Sequence, residues 1–130
     1  MTRFSFKWLA AFTAISLLSI AALAQTSGPT VQTSLGVTPT VTSAGSTVTL
    51  FGSITNTSSK SLKVTVDYNV VGPCNYTDNY QVKLTLKPGE TRTSSTSQTV
   101  PGCAGDYVVT ATATSGGAVL DVKSVTITVQ

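Results

Sequence analysis

Residues 25–130 predict an all-β chain, a two-sheet antiparallel sandwich of about seven strands with one disulfide between loops. Three observations carry that prediction. Apolar side chains alternate with polar ones at a period of two in one Val- and Thr-rich run after another, the pattern of strands with one face on a core and one in water. Short stretches rich in Pro, Gly, Asn and Ser punctuate the runs at the spacing of turns. No helical periodicity follows residue 24.

The first segment in chain order is not part of the sandwich. Arg3 and Lys7 precede an uncharged apolar run over 8–23, and Ala22-Leu23-Ala24 gives the small-x-small pattern of a signal peptidase site. A spanning helix needs about 20 apolar residues, so the run is short for one. The expected organisation is a signal peptide over 1–24 cleaved after Ala24, a short tail over 25–30 and a sandwich over 31–130. An uncleaved anchor is the alternative. Export would place the protein outside the cell, in a periplasm or on a cell surface.

The strands then follow in order. "VQTSLGV" (31–37) opens the sandwich and breaks before Pro39, because proline cannot donate to a ladder. Residues 46–55 place Val48, Leu50 and Ile54 on one face, and "NTSSKS" (56–61) is the loop after them. Residues 61–71 alternate Leu62, Val64, Val66, Tyr68 and Val70 against polar neighbours. The strand over 79–87 repeats this with Tyr80, Val82, Leu84 and Leu86, and ends in the Pro-Gly turn "KPGE". "TRTSSTSQT" (91–99) is polar on both faces, an edge strand in preference to a loop. Residues 106–114 carry Tyr107, Val109, Ala111 and Ala113 inward. Over 118–129 the apolar phase changes between Val122 and Val125, which predicts a β-bulge near Lys123-Ser124.

Charge and cysteine usage narrow the function classes. Of eight Lys and Arg, Arg3 and Lys7 lie in the leader, which leaves six scattered bases against five acids. No basic cluster exists to neutralise a run of phosphates, so nucleic acid is not an expected partner. The two cysteines sit in "VGPC" (71–74) and "VPGC" (100–103), outside any CxxC or His-containing cluster. In an oxidising compartment such an even pair reads as a disulfide, Cys74–Cys103.

Three blocks carry a family resemblance: "GSTVTLFGSITNTSSKSLKVTVDY" (45–68), "LTLKPGET" (84–91) and "GDYVVTATA" (105–113). They resemble bacterial immunoglobulin-like and fibronectin type III-like modules, in particular the adhesion-type repeats of bacterial surface proteins. The resemblance implies an Ig-like or FnIII-like topology. It also makes Tyr107 a tyrosine corner, whose hydroxyl bonds nearby backbone at the start of the sixth strand. Two departures stand out: Val109 and Tyr68 occupy the places of an antibody domain's cysteine and core Trp, so its disulfide and its recognition mode are not implied.

Catalysis has few candidates. The chain has no histidine, which removes Ser-His-Asp and Cys-His arrangements and most zinc sites. Asp67 and Asp121 fall on outward strand positions and Glu90 in a turn, where acids serve solvation. The reading is a non-enzyme without metal or cofactor. The richest local chemistry is "CNYTDNY" (74–80), where Asn75, Tyr76, Asp78 and Asn79 follow a cysteine. Such a loop could stack on sugar rings, enter a protein interface or offer oxygens to calcium. Alternatively Tyr80 faces the core, Tyr76 covers the disulfide and the rest is turn material. Asn56-Thr57-Ser58 and Asn75-Tyr76-Thr77 match the N-glycosylation pattern. The expected function is a secreted structural or adhesive module that binds a protein or cell-wall partner through strand edges and loops. A carbohydrate- or ligand-binding domain centred on 74–80 is the alternative.

Overall fold

The computed structural model describes residues 29–130 and the backbone of Thr13–Ile15. Apart from that triplet, the expected leader, its cleavage point after Ala24 and most of the tail lie outside the described residues. The elements are β1 (Thr13–Ile15), β2 (Val31–Thr38), β3 (Val41–Thr42), β4 (Thr47–Asn56), β5 (Leu62–Gly72), β6 (Tyr76–Leu86), β7 (Thr91–Thr99), β8 (Gly105–Ser115) and β9 (Ala118–Val129). They form two facing sheets, one in the order β1-β7-β4-β2 and the other β3-β9-β8-β5-β6. All pairings are antiparallel except β3 with β9.

The period-two pattern lands on the core as expected. Val48, Leu50 and Ile54 from one sheet meet Val64, Val66, Val70, Val109 and Ile127 from the other, all buried. Tyr68 stands where the antibody fold carries Trp. Burial pushes its phenol up from its ordinary value, and its hydroxyl bonds Ser94 of the opposite sheet.

The break expected at Pro39 is present, and two other local features differ from the sequence expectation. The first strand divides at Pro39: β2 pairs β4 in one sheet, and β3 then pairs β9 in the other. The third-to-fourth connection is tighter than a loop over 74–78. Pairing resumes at Gly72–Tyr76, so Tyr76 and Asp78 are strand residues. The slip in the last strand lies earlier than Lys123-Ser124. Ala113 pairs Asp121 and Thr114 pairs Val119, so Leu120 is the extra residue. The bulge therefore follows the β8–β9 turn directly, where a register change disrupts the fewest pairs.

That shift also corrects the placement of Asp121, which falls opposite Ala113 on the inward phase and is half-buried at the rim rather than fully outward. Its Oδ2 accepts from the Thr33 amide at 3.0 Å and the Thr33 hydroxyl at 2.7 Å, tying β9 to β2 across the sandwich. The Thr33 hydroxyl is the main cause that holds its carboxyl below the usual carboxylate range, with the Val122 amide and Lys123 adding to it. Glu90 is lowered too, first by the Lys87 amide and then by Arg92. A depressed folded-state pKa stabilises above the unfolded pKa of about 4 and is lost as pH falls through the folded value. Denaturant midpoints should therefore stay level from neutrality to about pH 5 and drop below about pH 4. Asp121→Asn should lose about 1–2 kcal/mol at pH 7 and show a shallower acid limb, measured by urea titration at several pH values.

Candidate functional site

The two cysteine motifs meet at one pole of the sandwich. Cys74 and Cys103 are bonded, joining the β5–β6 turn to the β7–β8 connection. Cys74 and Asn75 both have positive φ, 58° and 55°, and the Tyr76 amide bonds Pro73 O at 3.2 Å. This is the primed turn that matches strand twist. Asn75 tolerates the left-handed region readily, whereas Cys74 carries a Cβ there at a cost of roughly 1–2 kcal/mol.

The turn is seated on Tyr107, whose hydroxyl donates to Cys103 O at 2.8 Å. A Cβ on Gly72 would lie 2.2 Å from the Tyr107 ring, and one on Gly105, at φ 132°, would lie 2.5 Å from Pro73 Cγ. The glycines of "VGPC" and "AGDY" thus let the hairpin end and the β8 start close upon each other. Tyr76 completes the stack, edge to face on Tyr107 with centroids 5.7 Å apart.

This geometry disperses the residues of the 74–80 segment. Tyr76 and Asp78 lie on the inward phase of β6, with Asp78 opposite Val70. Asp78 Oδ1 accepts from the Asn79 amide at 2.9 Å, while its Oδ2 is buried without a hydrogen-bond partner. Asn79 lies on the outer face, where its Oδ1 accepts from Asn69 at 2.6 Å. Asn75 is exposed at the turn tip. Tyr76, placed among ligand-contacting residues by one reading of the sequence, is half-buried and packs on Tyr107. Among the described residues no group of three or more His, Cys, Asp or Glu could hold a metal ion.

The two glycosylation patterns separate as well. Asn75 is accessible, but Asn56 is fully buried. Asn56 Nδ2 donates to Lys60 O at 2.8 Å and Leu86 O at 3.0 Å, and its Oδ1 accepts from the Ser58 amide at 2.9 Å and the Ser58 hydroxyl. Its backbone bonds Glu90 O and the Gly89 amide. Both amide hydrogens are committed, so the native fold leaves no site for a glycan there.

The strand edges form the other candidate surface. On one side β7 pairs β4 along Thr91–Thr99. On its other side only Thr91, Arg92 and Thr93 are paired, with Ile15, Ala14 and Thr13 of β1. Among the described residues, Ser94–Thr99 has no strand on that side. The stretch contains neither proline nor charge, the usual devices that blunt an edge.

No family model and no curated protein matches the chain. Solved structures do. A CARDB domain of Pyrococcus furiosus, crystallised in complex with di-metal ions, aligns with a TM-score of 0.61 at 16% identity over 78% of this chain and 89% of that one. The chain is an immunoglobulin-like β-sandwich. The alkylpurine DNA glycosylase AlkC of Pseudomonas fluorescens, bound to DNA with an abasic site analog, aligns with a TM-score of 0.61 at 20% identity. A β-glucosidase of Erythrobacter marinus aligns with a TM-score of 0.61 at 12% identity. The sandwich covers 79% and 78% of itself in these alignments but only 31% of the glycosylase and 16% of the glucosidase. At such identities the likeness is one of fold.

Proposed function

We propose that the chain is an exported, non-catalytic binding module of the bacterial adhesion type, which accepts a partner's strand on the β7 edge. The observation that carries this reading is the half-paired edge itself. A strand that is uncharged after Arg92 and, among the described residues, has no neighbouring strand along its outer side beyond Thr93 presents the edge that strand addition uses. The pairing of Thr13–Ile15 with Thr91–Thr93 supports it, because that triplet lies in the leader-like segment. Loss of the leader would vacate the position. The disulfide favours an oxidising compartment, in keeping with export. No helix among the described residues is long and apolar enough to cross a membrane.

The test uses a fluorescent peptide of residues 11–17, "AFTAISL", against the chain beginning at Gln25. Saturable binding in polarisation assays is expected. A charged edge should abolish it, so Ser95→Lys combined with Ser97→Lys should bind at least about tenfold more weakly. Absence of peptide binding, or equal binding by both proteins, would contradict the reading.

A further inference from the structure

The outer face of the β2-β4-β7 sheet has a chemistry of its own, distinct from the edge. Every outward position of β7 is a hydroxyl residue: Thr91, Thr93, Ser95, Ser97 and Thr99. No outward position of β2 or β4 carries a charge either. Cross-strand hydroxyls are already at bonding distance, Ser34 with Ser53 at 2.6 Å and Thr55 with Thr91 at 2.7 Å. One large apolar side chain stands in this field, Phe51, at 45% exposure. Its ring lies over Gly36 of β2, where an added Cβ would sit 2.3 Å from the ring. Beside it runs an open groove of about 580 Å³, lined by Ser34, Phe51, Gly52, Ser53, Thr93, Ser94 and Ser95.

We infer that this groove binds a neutral polysaccharide, with Phe51 as the stacking platform. The face offers no cation to a phosphate or uronate and no anion to a basic peptide, so charge complementarity favours an uncharged occupant. An uncharged pyranose presents an apolar C–H face, which suits an aromatic ring, and a rim of hydroxyls, which suits Ser and Thr that both donate and accept. Gly36 lets the ring lie close over β2, and the pairing of β4 with β7 sets hydroxyl rows along the groove at strand spacing. A long polymer gains from repetition of such weak contacts along its length.

The test sediments the full, oxidised chain with particulate cellulose in about 0.5 M salt, which screens the general attraction of a basic protein for surfaces. Saturable depletion is expected, and Phe51→Ala should lower the partition coefficient at least about tenfold while Phe51→Trp retains it. Since Phe51→Ala uncovers Gly36 and could unfold β2, Ser53→Lys provides the second variant. It leaves the ring in place, puts a charge in the groove and should cost a similar factor. Ser53→Lys should still bind the "AFTAISL" peptide at the β7 edge, which separates the two sites. No depletion by cellulose, or undiminished depletion of both variants, would overturn the inference.

Discussion

Asn56→Ala should destabilise the protein by about 3–4 kcal/mol, a large part of the 5–15 kcal/mol available to a domain of this size. Asn56 ends β4 at a point where three connections converge: the loop to Lys60, the end of β6 at Leu86 and the turn at Gly89-Glu90. Truncation would leave the Leu86 carbonyl and the Ser58 amide unpaired inside the protein. Each such orphan costs about 1–3 kcal/mol, and the Lys60 carbonyl, nearer the surface, adds less because water reaches it. Asn56→Asp should be no better at neutral pH, since a carboxylate would then face two carbonyl oxygens. Protonation would restore one donor, so the Asp deficit should narrow as pH falls while the Ala deficit does not. Thermal melts of both variants between pH 4 and pH 7 check this, with a fall in Tm on the order of 15 °C expected for Asn56→Ala.

Reduction of Cys74–Cys103 should be nearly as costly. The bridge spans a separation of 29 residues, and closing a loop of that length stabilises by roughly 3–4 kcal/mol in the chain-entropy account. The native structure suggests where the loss would be felt first. Cys74 holds a positive φ, and without the bridge the turn at 73–75 leans on the Tyr76–Pro73 bond and on packing against Tyr107. Urea titration with and without reductant should therefore show a lower midpoint, and near-UV circular dichroism of Tyr76 and Tyr107 should weaken before the far-UV signal. A midpoint unchanged by reductant would show that tyrosine packing alone fixes the pole.

Much of the fold was legible because its code is binary. The alternation in 61–71 and 106–114 places Val70 and Val109 inward without further information, and β5 and β8 pair at those residues. Turn chemistry read less well, because spacing alone does not distinguish a loop from a tight turn. "GPCN" looks like the start of a long connection until the positive φ of Cys74 and Asn75 is known, and then Tyr76 becomes a strand residue. The bulge was misplaced for a similar reason: phase shows that one residue is extra but not which. The burial of Asn56 and the inward turn of Asp121 leave no periodic signal, because polar side chains do not announce burial and the Asp121 phase depends on the bulge at Leu120. Asn56 did leave one signal, its place at the end of a strong apolar strand just before a Ser-rich turn. The Phe51–Gly36 contact left none, since it depends on the register between two strands distant in sequence.

The candidate site followed the same division. The edge character of 91–99 was visible as polarity on both faces, but its free length could be known only from the pairing of β4 and β1. Amide exchange of the chain beginning at Gln25, followed by NMR, tests the central claim most directly. Alternate amides of an edge strand point toward and away from its neighbour. The account predicts that, without peptide, every second amide over Thr91–Thr99 exchanges fast, and that the "AFTAISL" peptide, in the register of β1, slows those between Thr91 and Ser95 selectively. Uniform protection of β7 without peptide, or protection that appears instead at Asn75–Asn79, would contradict it.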